Sequence, residues 1–170
     1  MRIINLIVVH CSATRGDCTL SPEDLDRLHR RRGFNGTGYH YYIRKDGTVH
    51  LTRPIERVGA HAKGFNAHSI GICYEGGLDC RGRPGDTRTS AQRATLRQLI
   101  GQLQEKFPGC RDLSPDLNGN GEIEPEEWIK SCPCFEVAKE FKELEEFAIK
   151  TENTEEHRVS QHIKEQKGGK

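Results

Sequence analysis

The chain is 170 residues long, enough for one domain with a sizeable core, and its 26 basic and 25 acidic residues leave a net charge of +1. That balance removes the electrostatic case for nucleic acid or an anionic membrane as the main partner, and no apolar run is long enough to span a bilayer. Hydrophobic residues at 34% and charged residues at 30% describe a soluble globular protein with some very polar stretches.

Ile3 to Val9 is short, apolar and rich in β-branched residues, which predicts a buried central strand running into His10-Cys11-Ser12-Ala13-Thr14. One positive charge ahead of an apolar run also suits a secretion signal, but no small-residue cleavage site precedes His10, so cytoplasmic synthesis is expected. The seven cysteines are an odd number; without a secretion signal, reduced thiols with one metal ligand are favoured over a disulfide framework.

Ser21-Pro22-Glu23-Asp24 carries an N-cap, a proline at the first helical position and an acidic first turn, predicting a helix to about Arg32 that stops at Gly33. Tyr39–Ile43 and Thr48–Leu51 flank Lys45-Asp46-Gly47, a hairpin signal. Ser69 to Glu75 reads as another strand and Cys80 to Thr87 as a loop. Thr89-Ser90-Ala91-Gln92 is a capping box, and Leu96, Leu99, Ile100, Leu103 and Phe107 form one helical face before Pro108-Gly109. A last helix is expected from about Phe135 to Lys150, with Val137, Phe141, Leu144 and Ala148 on one stripe. Residues 151–170 hold only Val159 and Ile163 as large apolar side chains and read as a disordered tail after a single domain of 1–150. The order of strands and helices predicts an α/β fold, a mixed central sheet flanked by helices.

Four segments resemble, in order and spacing, the zinc-dependent N-acetylmuramoyl-L-alanine amidases, the family of phage amidase lysozymes and peptidoglycan-recognition proteins. They are His10-Cys11-Ser12-Ala13-Thr14; Gly38-Tyr39-His40-Tyr41 with Lys45-Asp46-Gly47-Thr48-Val49; Val58-Gly59-Ala60-His61-Ala62-Lys63-Gly64-Phe65-Asn66 running into Ser69-Ile70-Gly71-Ile72; and Lys130-Ser131-Cys132-Pro133-Cys134-Phe135. The resemblance covers about Ile3 to Phe147 and implies cleavage of the amide between the N-acetylmuramoyl lactyl group and L-alanine of the peptidoglycan stem peptide. By the same resemblance His10 and Cys132 bind Zn2+, Tyr39 positions or deprotonates the attacking water, Lys130 steadies the oxyanion, and His61, Lys63 and Asn66 line the substrate groove. Zinc accepts imidazole and thiolate, and in a catalytic site leaves one position for water. The plainer alternatives are an aromatic cluster of Tyr39 with Tyr41 and Tyr42, and a solvated helix-end charge at Lys130.

In one place the pattern breaks. The family carries a strand ending in Gly-His-Arg-Asp whose histidine is the second zinc ligand, whereas here Phe107-Pro108-Gly109-Cys110 runs straight into Arg111-Asp112-Leu113. The strand and its histidine are missing, which leaves sheet neighbours with unpaired backbone groups. Cys110 and Asp112 are chemically competent substitutes without a spacing argument.

Beside the gap, Asp116, Asn118, Asn120, Glu122 and Glu127, with Gly121 at the turn, satisfy the EF-hand loop over 116–127 and predict Ca2+ binding. No entering helix precedes it, and an Asn/Gly turn is the alternative. The expected function is therefore a peptidoglycan hydrolase made in the cytoplasm and acting on the cell wall after release or export. The alternative is an impaired homologue that binds peptidoglycan fragments or regulates a partner, because one zinc ligand is absent.

Overall fold

The computed structural model describes residues 2–113, 132–135, 137 and 140, with backbone alone at 111–113. The chain divides into a unit of Met1–Val137 and a unit of Ala138–Lys170, and every named element belongs to the first. The expected calcium loop, Lys130, most of the last helix and the tail lie outside the described residues.

A five-stranded sheet forms the centre. Strand β1 (Leu6–Cys11) lies between β5 (Ser69–Tyr74) and β7 (Arg111–Leu113), parallel to both. Beyond β5 come β3 (Tyr41–Ile43), parallel to it, and β4 (Val49–Leu51), antiparallel to β3. This is the mixed sheet expected from the sequence. The Asp-Gly hairpin forms with Gly47 at φ 86 and Asp46 Oδ1 accepting from the Thr48 amide at 2.8 Å. A separate two-stranded pair, β2 (Thr14–Arg15) with β6 (Gly77–Leu78), had no signal in the sequence.

Helix α1 (Pro22–Arg31) begins as predicted, with the Ser21 side chain accepting from the Asp24 amide. Helix α2 (Ser90–Lys106) opens on the complete Thr89–Gln92 capping box. Its side chains Leu96, Leu99, Ile100 and Leu103 are buried, while Phe107, expected on the same face, caps the C-terminus. Strand alternation puts Val8, His10, Gly71, Cys73 and Tyr42 on one face of the sheet and Ile7, Val9, Ile70, Ile72 and Ile43 on the other. Leu25 of α1 packs with Tyr42 and Cys73 on the first face, joined by Leu20 and Tyr39.

Two buried polar residues tie the layers. Glu75 accepts from the Leu20 amide at 2.6 Å, Arg44 Nε at 2.7 Å and the Lys45 amide at 3.1 Å. Gln92 Nε2 donates to the carbonyls of Ile43 and Glu75 at 3.3 and 2.9 Å. Both side chains are fully enclosed, and both are hydrogen-bonded, as burial of a polar group requires.

One expectation is corrected. The sheet is not left with an open position beside β1, because Arg111–Leu113 occupies it, pairing Leu6 with Arg111, Ile7 with Asp112 and Val8 with Leu113. Unpaired amides and carbonyls on a buried strand are costly, so the next extended segment of the chain fills the vacancy. That pairing ends at Val8, two residues short of His10.

Candidate active site

The C-terminal end of β1 delivers His10 to the rim of a cavity of about 800 Å³ lined by Cys11, His29, Tyr39, His61, Lys63 and Cys132, among others. Described residues of all four motifs meet there, the fourth through Cys132 and Cys134. Cys132 is brought to the sheet from far along the chain by several contacts. Tyr74 Oη donates to the Pro133 carbonyl at 2.5 Å, and Cys134 Sγ lies 3.3 Å from the Gly77 carbonyl. Phe135 packs on the Tyr74 ring at 6.2 Å and under the Arg88 guanidinium at 3.2 Å. Arg88 is itself paired with Asp86 at 2.8 Å.

Cys132 Sγ stands 3.9 Å from His10 Nδ1. Two ligands of one zinc ion are separated by less than the sum of their bond lengths, about 4.4 Å for sulfur and nitrogen, so this pair fits a shared metal. Cys132 Sγ also accepts from the Cys11 amide at 3.1 Å, and Cys11 Sγ lies 3.6 Å away. Donation from Cys11 holds the Cys132 thiol below its ordinary value, while that same bond, followed by burial, pushes Cys11 up. The sulfur that faces His10 is thus the more acidic of the two. All seven cysteines are unbridged.

Among the described residues, no group of three His, Cys, Asp or Glu side chains is arranged to hold a metal ion. Cys110, weighed as a replacement ligand, is instead buried ahead of β7. Asp112 forms part of β7 opposite Ile7.

The other predicted residues surround the pair. The Tyr39 ring lies 5.2 Å from His10, and burial, with the neighbouring thiols, raises its phenol well above the ordinary value. His61 Nδ1 lies 3.1 Å from His10 Nε2. Lys63 is exposed at the cavity edge. Asn66 Oδ1 accepts from the His61 and Ala62 amides at 2.8 and 2.9 Å, so this side chain shapes the loop that it also lines. His29 is buried beside Tyr39 with ring centroids 5.3 Å apart, and its Nδ1 accepts from the Gly38 amide at 2.9 Å. Cys11 was not singled out by the sequence, although it adjoins His10 in the first motif.

Burial lowers His10 to about 4, and His61 to about 2 with help from the neighbouring histidines. Both imidazoles are neutral at physiological pH, the form in which a histidine donates a lone pair.

The sequence matches the family model for N-acetylmuramoyl-L-alanine amidase over residues 1–133. It is 35% identical to the endolysin of Klebsiella phage KP32 and 37% identical to that of Escherichia phage T7, in each case over 78% of this chain and 82% of the relative. The fold superposes on N-acetylmuramoyl-L-alanine amidase LysC from Clostridium intestinale with a TM-score of 0.65 at 32% identity, covering 84% of this chain and 85% of that one. Drosophila PGRP-LB shares the fold at a TM-score of 0.57 and 24% identity, covering 78% and 76% of the two chains. With the family model matched over most of its length, this chain belongs to the N-acetylmuramoyl-L-alanine amidase family.

Proposed function

We propose that the chain hydrolyses the lactyl–L-alanine amide of peptidoglycan at the His10–Cys132 end of the cavity, with zinc held by His10 Nδ1 and Cys132 Sγ. The observation that carries this reading is the 3.9 Å approach of those donors in a cavity that also receives Tyr39. When bound, zinc polarises the carbonyl and supplies an activated water. The chain's own groups do the rest. Tyr39, kept protonated by burial, acts as a hydrogen-bond donor that positions water or the carbonyl oxygen rather than as a base. Lys130, two residues before Cys132 in sequence, supplies positive charge to the oxyanion. Lys63 and Asn66 face the stem peptide from the cavity edge. The polypeptide acts on the wall after release from the cell in which it is made. No helix among the described residues is long and apolar enough to cross a membrane. The 116–127 loop, by its ligand spacing, takes a calcium ion just ahead of Lys130.

A second reading is favoured by the absence, among the described residues, of a third donor beside His10 and Cys132. In it the chain binds peptidoglycan fragments or regulates a partner without cleaving. Zinc content and digestion of purified sacculi separate the two. The hydrolase reading expects near-stoichiometric zinc, release of stem peptides with a free L-alanine amine, and loss of both by at least 100-fold in His10→Ala and Cys132→Ser. Neither zinc nor release, with muropeptide binding retained, establishes the second reading instead.

A further inference from the structure

The His61 ring occupies a slot that two glycines leave open. A Cβ added at Gly71 in β5 would lie 2.5 Å from His61 Cδ2 and 2.8 Å from its Nδ1, and one added at Gly59 would lie 2.5 Å from the same Cδ2. Real side chains do not tolerate such approaches, so both positions are small because the ring is there. Above the loop, Asn66 Oδ1 holds the His61 amide at 2.8 Å and fixes the backbone that presents the ring. The ring meets His10 and His40 edge-on, with centroids 5.2 and 5.7 Å apart.

Both ring nitrogens are engaged inside the protein. Nδ1 lies 3.1 Å from His10 Nε2, and Nε2 lies 3.3 Å from Ser69 Oγ, a buried hydroxyl at the start of β5. A histidine so placed has no ring nitrogen left over for a sugar or a peptide, which argues against a direct groove contact of the kind the sequence suggested. Its partner on the other side is informative. His10 turns Nδ1 toward Cys132 and Nε2 toward His61. An imidazole that gives its Nδ1 lone pair to a metal must carry its proton on Nε2, and that proton needs an acceptor.

We propose that His61 is the positioning residue for His10: its Nδ1 accepts a hydrogen bond from the His10 Nε2–H, its own Nε2–H donates to Ser69 Oγ, and it so holds His10 in the tautomer and ring orientation that expose Nδ1 beside Cys132. This rests on the reading of His10 as a zinc ligand, but the tautomer it specifies belongs to the metal-free protein as well. The slot made by Gly59 and Gly71 fixes the ring, and the serine hydroxyl, able to donate or accept, completes the chain.

The test uses the full chain with His61→Ala, His61→Asn and Gly59→Ala. Asparagine offers an oxygen near the place of Nδ1, whereas Gly59→Ala displaces the ring without removing it. Long-range nitrogen–proton correlation on the metal-free parent should show both His10 and His61 protonated at Nε2. His61→Ala and Gly59→Ala should lose that single His10 tautomer and bind zinc 10- to 100-fold more weakly in a chelator competition, the range seen when outer partners of metal ligands are removed. His61→Asn should recover most of the affinity and the tautomer. A His10 tautomer unchanged in both His61→Ala and Gly59→Ala overturns the proposal, as does a His61 proton found on Nδ1. A parent that binds no zinc yet shows the expected tautomers defeats the zinc reading and leaves the positioning role standing.

Discussion

At the scale of single residues, the chain places its strongest polar commitments where three backbone segments have to be joined. Glu75 is the clearest case. Its carboxylate, with no exposed surface, accepts from Leu20, Arg44 and Lys45, and so joins the segment before α1 and the β3–β4 turn to the end of β5. Removing one member of a buried ion pair leaves the other charge and the freed amides unpaired, at a cost of about 3–5 kcal/mol. Because the Arg44 side chain keeps 28% of its exposure, the lower end applies, and Glu75→Ala should lose about 3 kcal/mol in a denaturant titration. A loss below about 1 kcal/mol, the level of a surface ion pair, would show that solvent replaces these bonds. The same residue scale explains why Cys11 went unnoticed. Alternation along a strand puts residues 10 and 11 on opposite faces, so sequence separates them. They reconverge only because Cys132 sits off the strand end, within reach of the Cys11 amide and of His10 Nδ1 alike.

The elements follow their local signals closely wherever those signals are chemical rather than merely hydrophobic. The Ser21 cap, the Pro22 start, the Asp46-Gly47 turn and the Thr89–Gln92 box all form as read. Thr89 does more than close a helix, since its Oγ1 also donates to the Lys45 carbonyl at 2.6 Å and so ties α2 to the hairpin turn. Loss of an N-cap costs about 1 kcal/mol, up to about 2 in demanding sites, and Thr89→Ala should fall at the upper end because two bonds go together. Thr89→Ser, which keeps the hydroxyl, should restore most of the melting temperature; equal losses in both variants would assign the effect to the methyl group. Elements without a local signal were not legible. β2 and β6 are two residues each, too short for any periodicity, and they pair because the chain segments after β1 and β5 leave the sheet side by side. β7 is the more telling case. Arg111–Leu113 has no strand pattern of its own and is extended because β1 needs a partner on that edge.

For the whole molecule, the neutral histidines impose a pH dependence. His10 and His40 are lowered by burial to about 4 and His61 to about 2, against an unfolded value near 6.5. Between pH 6.5 and 4 the unfolded chain therefore binds protons that the folded chain does not, and stability falls as pH falls. Each such group contributes up to about 1.4 kcal/mol per pH unit across that window. Metal-free protein should show a lower urea midpoint at pH 5 than at pH 7, and His40→Asn should flatten the slope. A midpoint constant over the window would mean that these rings protonate in place.

Sequence alone determined the family, the sheet-and-helix architecture and the motif residues, because ligand chemistry, caps and turns are written in short segments whose residue types have specific physical uses. Tertiary structure decided which of the six histidines among the described residues meet at the site. The contact of His61 with His10 depends on empty space at Gly59 and Gly71, and a slot between a loop and a strand has no trace in either segment taken alone. It also decided the fate of the missing strand. A sequence shows that residues are absent, but the backbone of β1 must hydrogen-bond to something, and only the folded sheet reveals that Arg111–Leu113 meets that demand while stopping short of His10.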